Sequence, residues 1–372
     1  MRLFFRRPSR HAMSKGRNFV TLPPDFYRKP ILMLTYTPPE MRAAPPTREK
    51  PWILLLLAFA WLWPGVFSHD LWKPDEIWFN EAVNGVLSGG SWLQPQVPGR
   101  QDGGMPFVYV WLAAWCRRLL SPWLTDAYSA MRLASVLFTA VGLTACGMAG
   151  FHLAGRHQGR SVVLILIGCA GLITSGHLLG GASVQFAAAG LCLYGLAVAR
   201  RRAIFAALLL GCGWALLSVS AGWAVMAALM LAACLLPLFP VWRSRRFAVA
   251  LAAAFALAVP LAAVYPLVLY QVSPEAYSGW LNHHVFGVFG GLVTFSAAFS
   301  LPYYLKNMLW FAFPAWPLAL WTFSRRRFLS ESWGGPTVLW LVVVGLLLAA
   351  APQTHADNLI LLLPPLAVLG AC

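Results

Sequence analysis

Apolar runs of membrane-spanning length recur from Pro51 to Cys372, separated by short polar intervals. Crossing the hydrocarbon as a helix takes about 20 apolar residues. Lipid offers no partner to a bare amide or carbonyl, so such runs must be helices whose backbone bonds internally. The pattern predicts spans at about 51–68, 130–152, 161–179, 182–199, 203–220, 222–240, 246–270, 302–323, 336–351 and 357–372. The expected fold class is all-α, a polytopic transmembrane bundle of about ten spans over 51–372. Two longer polar intervals interrupt it, one over 69–129 and one over 271–301.

One further apolar stretch, about 106–121, is excluded as a span by charge. Eleven Lys or Arg residues precede Trp52, and most others cluster as Arg156/Arg160, Arg200–Arg201–Arg202, Arg243/Arg245/Arg246 and Arg325–Arg326–Arg327. Basic clusters between spans mark the cytoplasmic side. If 106–121 and 130–152 both crossed, the Arg156 cluster and every later one would change sides. The shorter stretch, ending in Arg117–Arg118, is therefore expected as an interfacial or membrane-dipping helix. Both polar intervals then fall on the outer side.

Composition sharpens this reading. With 59% hydrophobic and 11% charged residues, a soluble domain is excluded. The net charge of +16 expresses sidedness, and no aromatic-interleaved basic face accompanies it, so no nucleic-acid partner is expected. Residues 1–50 are basic and Pro-rich without an apolar core of signal-peptide length, which predicts a disordered cytoplasmic tail; Met13, Met33 and Met41 are alternative starts. The seven cysteines all lie in apolar stretches and read as small core residues. The chain stops inside an apolar run, so a truncated protein with further spans or a soluble domain is expected.

Candidate chemistry concentrates in the first polar interval. Six of the twelve acidic residues are Asp70, Asp75, Glu76, Glu81, Asp102 and Asp126, and none falls between 127 and 274. Pro74 followed by Asp75 and Glu76 reads as a helix start, where acidic residues also compensate the helix dipole. Asp102, before Gly103–Gly104, reads as turn chemistry. In the second interval His283 and His284 are adjacent and point different ways on any regular element. Their spacing alone makes no metal site.

Pro74-Asp75-Glu76, a short helix over 77–87, the stretch SGGSWLQPQV, and Pro106 followed by the aromatic run Phe107–Trp111 resemble a known pattern. It is the first outer loop of the GT-C membrane glycosyltransferases, in the branch of the aminoarabinose transferases and protein O-mannosyltransferases. Further similar motifs follow in order: Met131-Arg132-Leu133-Ala134-Ser135; Asn282-His283-His284 with Gly287, Gly290 and Gly291; Leu301-Pro302-Tyr303-Tyr304-Leu305; Phe313-Pro314-Ala315-Trp316-Pro317; and Asn358–Pro365. The resemblance implies transfer of a sugar from a polyprenyl-phosphate donor to a lipid or protein acceptor, at the periplasmic face of a bacterial inner membrane. It makes Asp75 the catalytic carboxylate, with a structural role as the alternative. An inverting transfer needs a base for the acceptor proton and cations for the leaving phosphate. On the outer side the cations are Lys73, Arg100, Arg117, Arg118, Arg132 and Lys306. Arg132, at the outer end of a span, would cost free energy unless paired or hydrated, which makes it the leading phosphate ligand, with Lys73 and Lys306 beside it. Arg117 and Arg118 fit snorkelling equally well. The resemblance brings a histidine to the site, His284 ahead of His283, and allows a divalent metal there; no other cofactor is expected. Interfacial hydrogen bonding is the histidines' alternative. Glu76 is grouped with the substrate-binding residues, although its position, off the Asp75 direction on the helix, better suits a solvated or capping role.

Three departures leave other readings open. Gly104-Met105-Pro106 stands where the family usually has Lys-Pro-Pro, no second Asp occurs in the stretch His177–Gln185, and Thr354-His355-Ala356-Asp357 replaces a basic residue. Either the site is rewired through His177, Ser183 or Gln185, or the chain is a degenerate member acting in assembly. A transporter or lipid flippase, the reading from another class, would require ionisable groups at mid-membrane or paired broken helices. The carboxylate-free interval 127–274 offers little of either.

Overall fold

The computed structural model describes residues 52–67, 70–95, 97, 105–285, 300–324, 328–351 and 354–372, all within the unit that begins at Pro51. The expected tail over 1–50, the Asp102 turn, Arg100, Gly287–Gly291 and Arg325–Arg327 lie outside the described residues, as do the side chains of Lys73 and His283.

Among the described residues the elements are helices, and none is a strand. In chain order they are α1 (Trp52–Trp61), α2 (Lys73–Leu87), α3 (Phe107–Leu120), α4 (Ala127–Ala154), α5 (Arg156–Gly168), α6 (Ala170–Ser175), α7 (Ala182–Val198), α8 (Ala203–Ser220), α9 (Trp223–Leu235), α10 (Arg245–Val272), α11 (Pro274–Trp280), α12 (Leu301–Phe311), α13 (Ala315–Phe323), α14 (Gly334–Ala350) and α15 (Leu363–Ala371). Among them α4, α8 and α10 are each long and apolar enough to cross a membrane unaided. At about 1.5 Å per residue, the 28 residues of α4 extend about 42 Å, beyond the roughly 30 Å of hydrocarbon.

Three of the expected spans are split. Cys169, in an extended conformation, separates α5 from α6, and Pro314 separates α12 from α13. The last span opens as a 3-10 helix, Ala356–Leu362, before α15 takes over with Pro364 and Pro365 in its first turn. Proline lacks the N–H that an interior helical position must donate, so regular helix resumes where that donor is not required.

Small residues set the central packing. A Cβ on Gly190 would come within 2.9 Å of the Gly142 carbonyl oxygen, and one on Gly142 within 2.4 Å of the Phe186 ring, so α4 and α7 cross almost backbone to backbone. Ala250, Ala254, Ala258 and Ala262 recur every four residues along the buried face of α10, which packs on α8 at Leu257 and Gly211. Lipid supplies no hydrophobic drive between helices, so close approach and dispersion must hold them. The large apolar residues left exposed, such as Leu55, Leu137 and Val264, are what a lipid-facing surface requires.

The bundle has two chemically distinct ends. At one, Gly155, Arg156, Arg200–Arg202 and Arg243–Arg246 gather: Arg201 bonds His152 at 3.2 Å, Arg200 lies 5.8 Å over the Trp242 ring, and Ser332 donates to the Leu153 carbonyl at 2.7 Å. The other end carries the described parts of both polar intervals, and hydrogen bonds at 2.9 Å from Gln185 to the Ser220 carbonyl and 2.6 Å from Ser175 to Asp357 tie it together. Helix α3 belongs wholly to this second end. Pro106 abuts Gly181 at the start of α7, and after Leu120 only five residues precede Asp126, the N-cap of α4. Helix α3 therefore lies across the end of the bundle and does not run through it.

Candidate active site

Helix α2 starts at the N-cap Trp72, whose side chain makes no capping hydrogen bond. Glu76 supplies the cap: its Oε2 accepts the Trp72 amide at 2.6 Å. The same carboxylate takes a fork from Arg132, Nε to Oε1 at 3.1 Å and Nη2 to Oε2 at 3.0 Å, and Oε1 also accepts the Leu179 amide at 2.8 Å. Arg132 Nη2 reaches the Asp70 carbonyl at 3.1 Å as well. Both side chains are buried, 0% and 1% exposed. Two charges out of water are stable only when geometry is good and remaining donors and acceptors are filled. This pair meets that condition, and it joins α2, the first turns of α4 and the turn before α7. The sequence left Glu76 between solvent and cap; the structure makes it the cap. Arg132, predicted at a donor phosphate, is directed onto Glu76 and away from any open surface.

Asp75, one residue earlier, is partly exposed and makes no hydrogen bond or ion pair with another described residue. A carboxylate left to solvent thus sits on a helical turn whose next residue is anchored at four donors. Below α2, Tyr109 of α3 is fully buried, its hydroxyl 2.8 Å from Ser135 Oγ, which donates to the Leu178 carbonyl at 2.7 Å. Burial pushes the Tyr109 phenol well above its usual range, so it stays protonated and serves the packing.

The end of α10 and helix α11 close over the start of α3. The Tyr265 hydroxyl donates to the Leu93 carbonyl at 2.9 Å, and its ring stacks on Phe107 with centroids 4.0 Å apart. Trp280 packs against Tyr265 and Trp223, and His284, buried, stacks on Trp280 at 5.4 Å and 16°. Sequence reasoning singled out none of Tyr265, Trp280 and Trp223; a cluster of aromatics at predicted span ends was the available signal. Lys306 is exposed on α12, and Arg117 bonds Asn84 on α2. Of the polar substitutes, His177 places its two ring nitrogens 2.8 and 3.1 Å from the carbonyls of Ile173 and Trp61, and Ser183 donates to Gly180. Gln185 keeps a buried Oε1 with no partner among the described residues, as does Trp223 its Nε1. Among the described residues no three His, Cys, Asp or Glu side chains converge into a ready-made metal site; Asp102 and the side chain of His283 lie outside those residues.

No protein-family model matches the chain. Two curated proteins named undecaprenyl phosphate-alpha-4-amino-4-deoxy-L-arabinose arabinosyl transferase are similar to part of it. That of Pseudomonas aeruginosa strain UCBPP-PA14 is 30% identical over 99 residues, and that of Pseudomonas paraeruginosa strain PA7 is 31% identical over 98. Each match covers 26% of this chain and 17% of the relative. Crystal structures of ArnT from Cupriavidus metallidurans, in the apo state and bound to undecaprenyl phosphate, are similar with TM-scores of 0.65 and 0.64 at 16% identity. They are matched over 86% of this chain and 58% and 59% of theirs, so the chain spans less than two thirds of their length. Over 86% of the chain this helical bundle has the fold seen in ArnT, the GT-C fold that the sequence resemblance implied.

Proposed function

We propose that this chain is an integral-membrane glycosyltransferase that moves a sugar from a polyprenyl phosphate to a lipid or protein acceptor, with Asp75 as the base. The observation that carries this reading is the pairing of a solvent-facing Asp75 with a buried, fully engaged Glu76 on the same helical turn. The acceptor hydroxyl or amine attacks the anomeric carbon and gives its proton to the Asp75 carboxylate. The bond from that carbon to the phosphate oxygen breaks, and polyprenyl phosphate leaves with the electron pair. Lys73, Lys306, His284 and His283 are the groups assigned to the leaving phosphate. Arg132 and Glu76 act through the fold, holding the turn on which Asp75 stands. Gln185, with an acceptor oxygen to fill, is assigned to a sugar hydroxyl. The site is assigned to the periplasmic face of a bacterial inner membrane, because the Arg-rich end is the one that stays in the cytoplasm.

The absence of carboxylates between 127 and 274 favours this reading over a transporter, whose ion or proton path would need them inside the bundle. The test is transfer from a polyprenyl-phosphate sugar in vesicles holding the wild-type chain or Asp75→Asn at matched protein levels. Loss of a positioned base lowers turnover by about 10²–10⁴-fold. Unchanged turnover removes Asp75 from the mechanism, and a wild-type chain without turnover leaves the degenerate reading in its place.

A further inference from the structure

We propose that the Arg-rich end carries a second lipid site, a pocket for the headgroup of an anionic phospholipid between the starts of α8 and α10. Arg201, Arg202 and Arg246 line a pocket of about 530 Å³ whose remaining wall is Ala203, Ile204, Phe205 and Leu208. Arg201 and Arg202, in the turn and N-cap that lead into α8, and Arg246, in the first turn of α10, line it with no carboxylate among the lining residues. The chain has no Asp or Glu between 127 and 274, and none of the three forms an ion pair with a described residue.

Neighbouring arginines are engaged differently. Arg243 donates to the Pro237 carbonyl at 2.9 Å and Arg200 covers Trp242, whereas Arg201 gives one contact to His152 and otherwise faces the pocket with Arg202 and Arg246. Like charges held together repel, so a counter-anion lowers the free energy of this arrangement.

The apolar wall identifies that anion as a lipid. Ile204 is 80% exposed and Leu208, one helical turn on, is 51% exposed, a strip running from the arginines along α8. Helix α8 is long and apolar enough to span, so the arginines that precede it lie where headgroups lie and the strip below them faces acyl chains. A phosphate among the guanidiniums with its chain along Ile204 and Leu208 satisfies both halves; a free phosphate ion satisfies only the first.

The test is native mass spectrometry of the purified chain, titrated with phosphatidylglycerol, phosphatidylcholine or inorganic phosphate. Phosphatidylglycerol is expected to bind about tenfold or more tightly than phosphatidylcholine, and R201Q/R202Q/R246Q to weaken it on the order of a hundredfold. R201K/R202K/R246K keeps the charge and retains binding, and Arg118→Gln at the opposite end leaves it unchanged. Equal binding of the two lipids, or an unaltered affinity in the glutamine variant, overturns the proposal. Displacement of phosphatidylglycerol by an equal concentration of inorganic phosphate overturns its lipid component. Should the glutamine variant not fold, the lysine variant and the two-lipid comparison on the wild type decide.

Discussion

Replacing Glu76 by Ala would remove the acceptor for four donors at once: Arg132 Nε and Nη2, the Trp72 amide and the Leu179 amide. The arginine is 0% exposed, so its charge cannot turn to water without opening the end of the bundle. Removing one member of a buried ion pair costs about 3–5 kcal/mol, and each stranded amide adds on the order of 1–3 kcal/mol where no water enters. Replacing both members with apolar residues, Glu76→Leu with Arg132→Met, removes the uncompensated charge and is expected to cost less than the sum of the single changes. Thermal unfolding in detergent, read by a thiol-reactive dye that labels the buried Cys146 and Cys192 only once the core opens, measures the cycle. The expected result is a fall on the order of 10 °C for Glu76→Ala, with partial recovery in the double variant. A Glu76→Ala chain that melts with the wild type would refute the view that this pair holds α2 in place.

Three further outcomes follow from local geometry. Asp126 caps α4 by accepting the amides of Tyr128 and Ser129, so Asp126→Ala should cost about 1 kcal/mol at neutral pH in the same unfolding assay. Partial burial acts to raise that carboxyl, but hydrogen bonds from Ser129 and Tyr128 outweigh it and hold it below the usual carboxylate range. With the folded value depressed, the cap's contribution is present above the unfolded value of about 3.9 and disappears as pH falls through the folded one, where wild type and variant should converge. Gly190→Leu would drive a side chain into the Gly142 backbone and should destabilise by about 1–3 kcal/mol or more, whereas Gly345→Ala, with nothing within 4 Å, should be neutral or stabilising by roughly 0.5–1 kcal/mol. Gln185→Leu removes the unpaired Oε1 and also the hydrogen bond to the Ser220 carbonyl, so it should destabilise by about 0.5–1.5 kcal/mol while raising KM for the donor sugar; a KM at the wild-type value would withdraw that residue from the sugar site.

Signals that depend on neighbours in the chain were legible before the structure. Pro74 with Asp75 and Glu76 marked the start of α2, and the spacing of arginine clusters required that the stretch over 106–121 not cross, as its two ends at Pro106 and Asp126 now show. What was hidden depends on partners far apart. Glu76 meets Arg132 across 56 residues and Leu179 across 103, distances at which no periodicity carries information. Hydropathy likewise reported the length of the spans but not their interruptions at Cys169 and Pro314, because an average over apolar residues does not register one extended backbone position. The aromatic closure of Tyr265, Phe107 and Trp280 joins three separate segments and was equally out of reach.

The central claim is that a lipid-borne sugar phosphate comes to Asp75, at the end of the bundle opposite the arginine clusters. Photo-crosslinking of the chain in vesicles with a polyprenyl-phosphate analogue carrying a reactive group at its phosphate, followed by peptide mapping, tests this directly. Adducts on α2, on the first turn of α3 or on residues 281–285 are the predicted result; adducts confined to peptides around Arg156, Arg201 or Arg245 would contradict it.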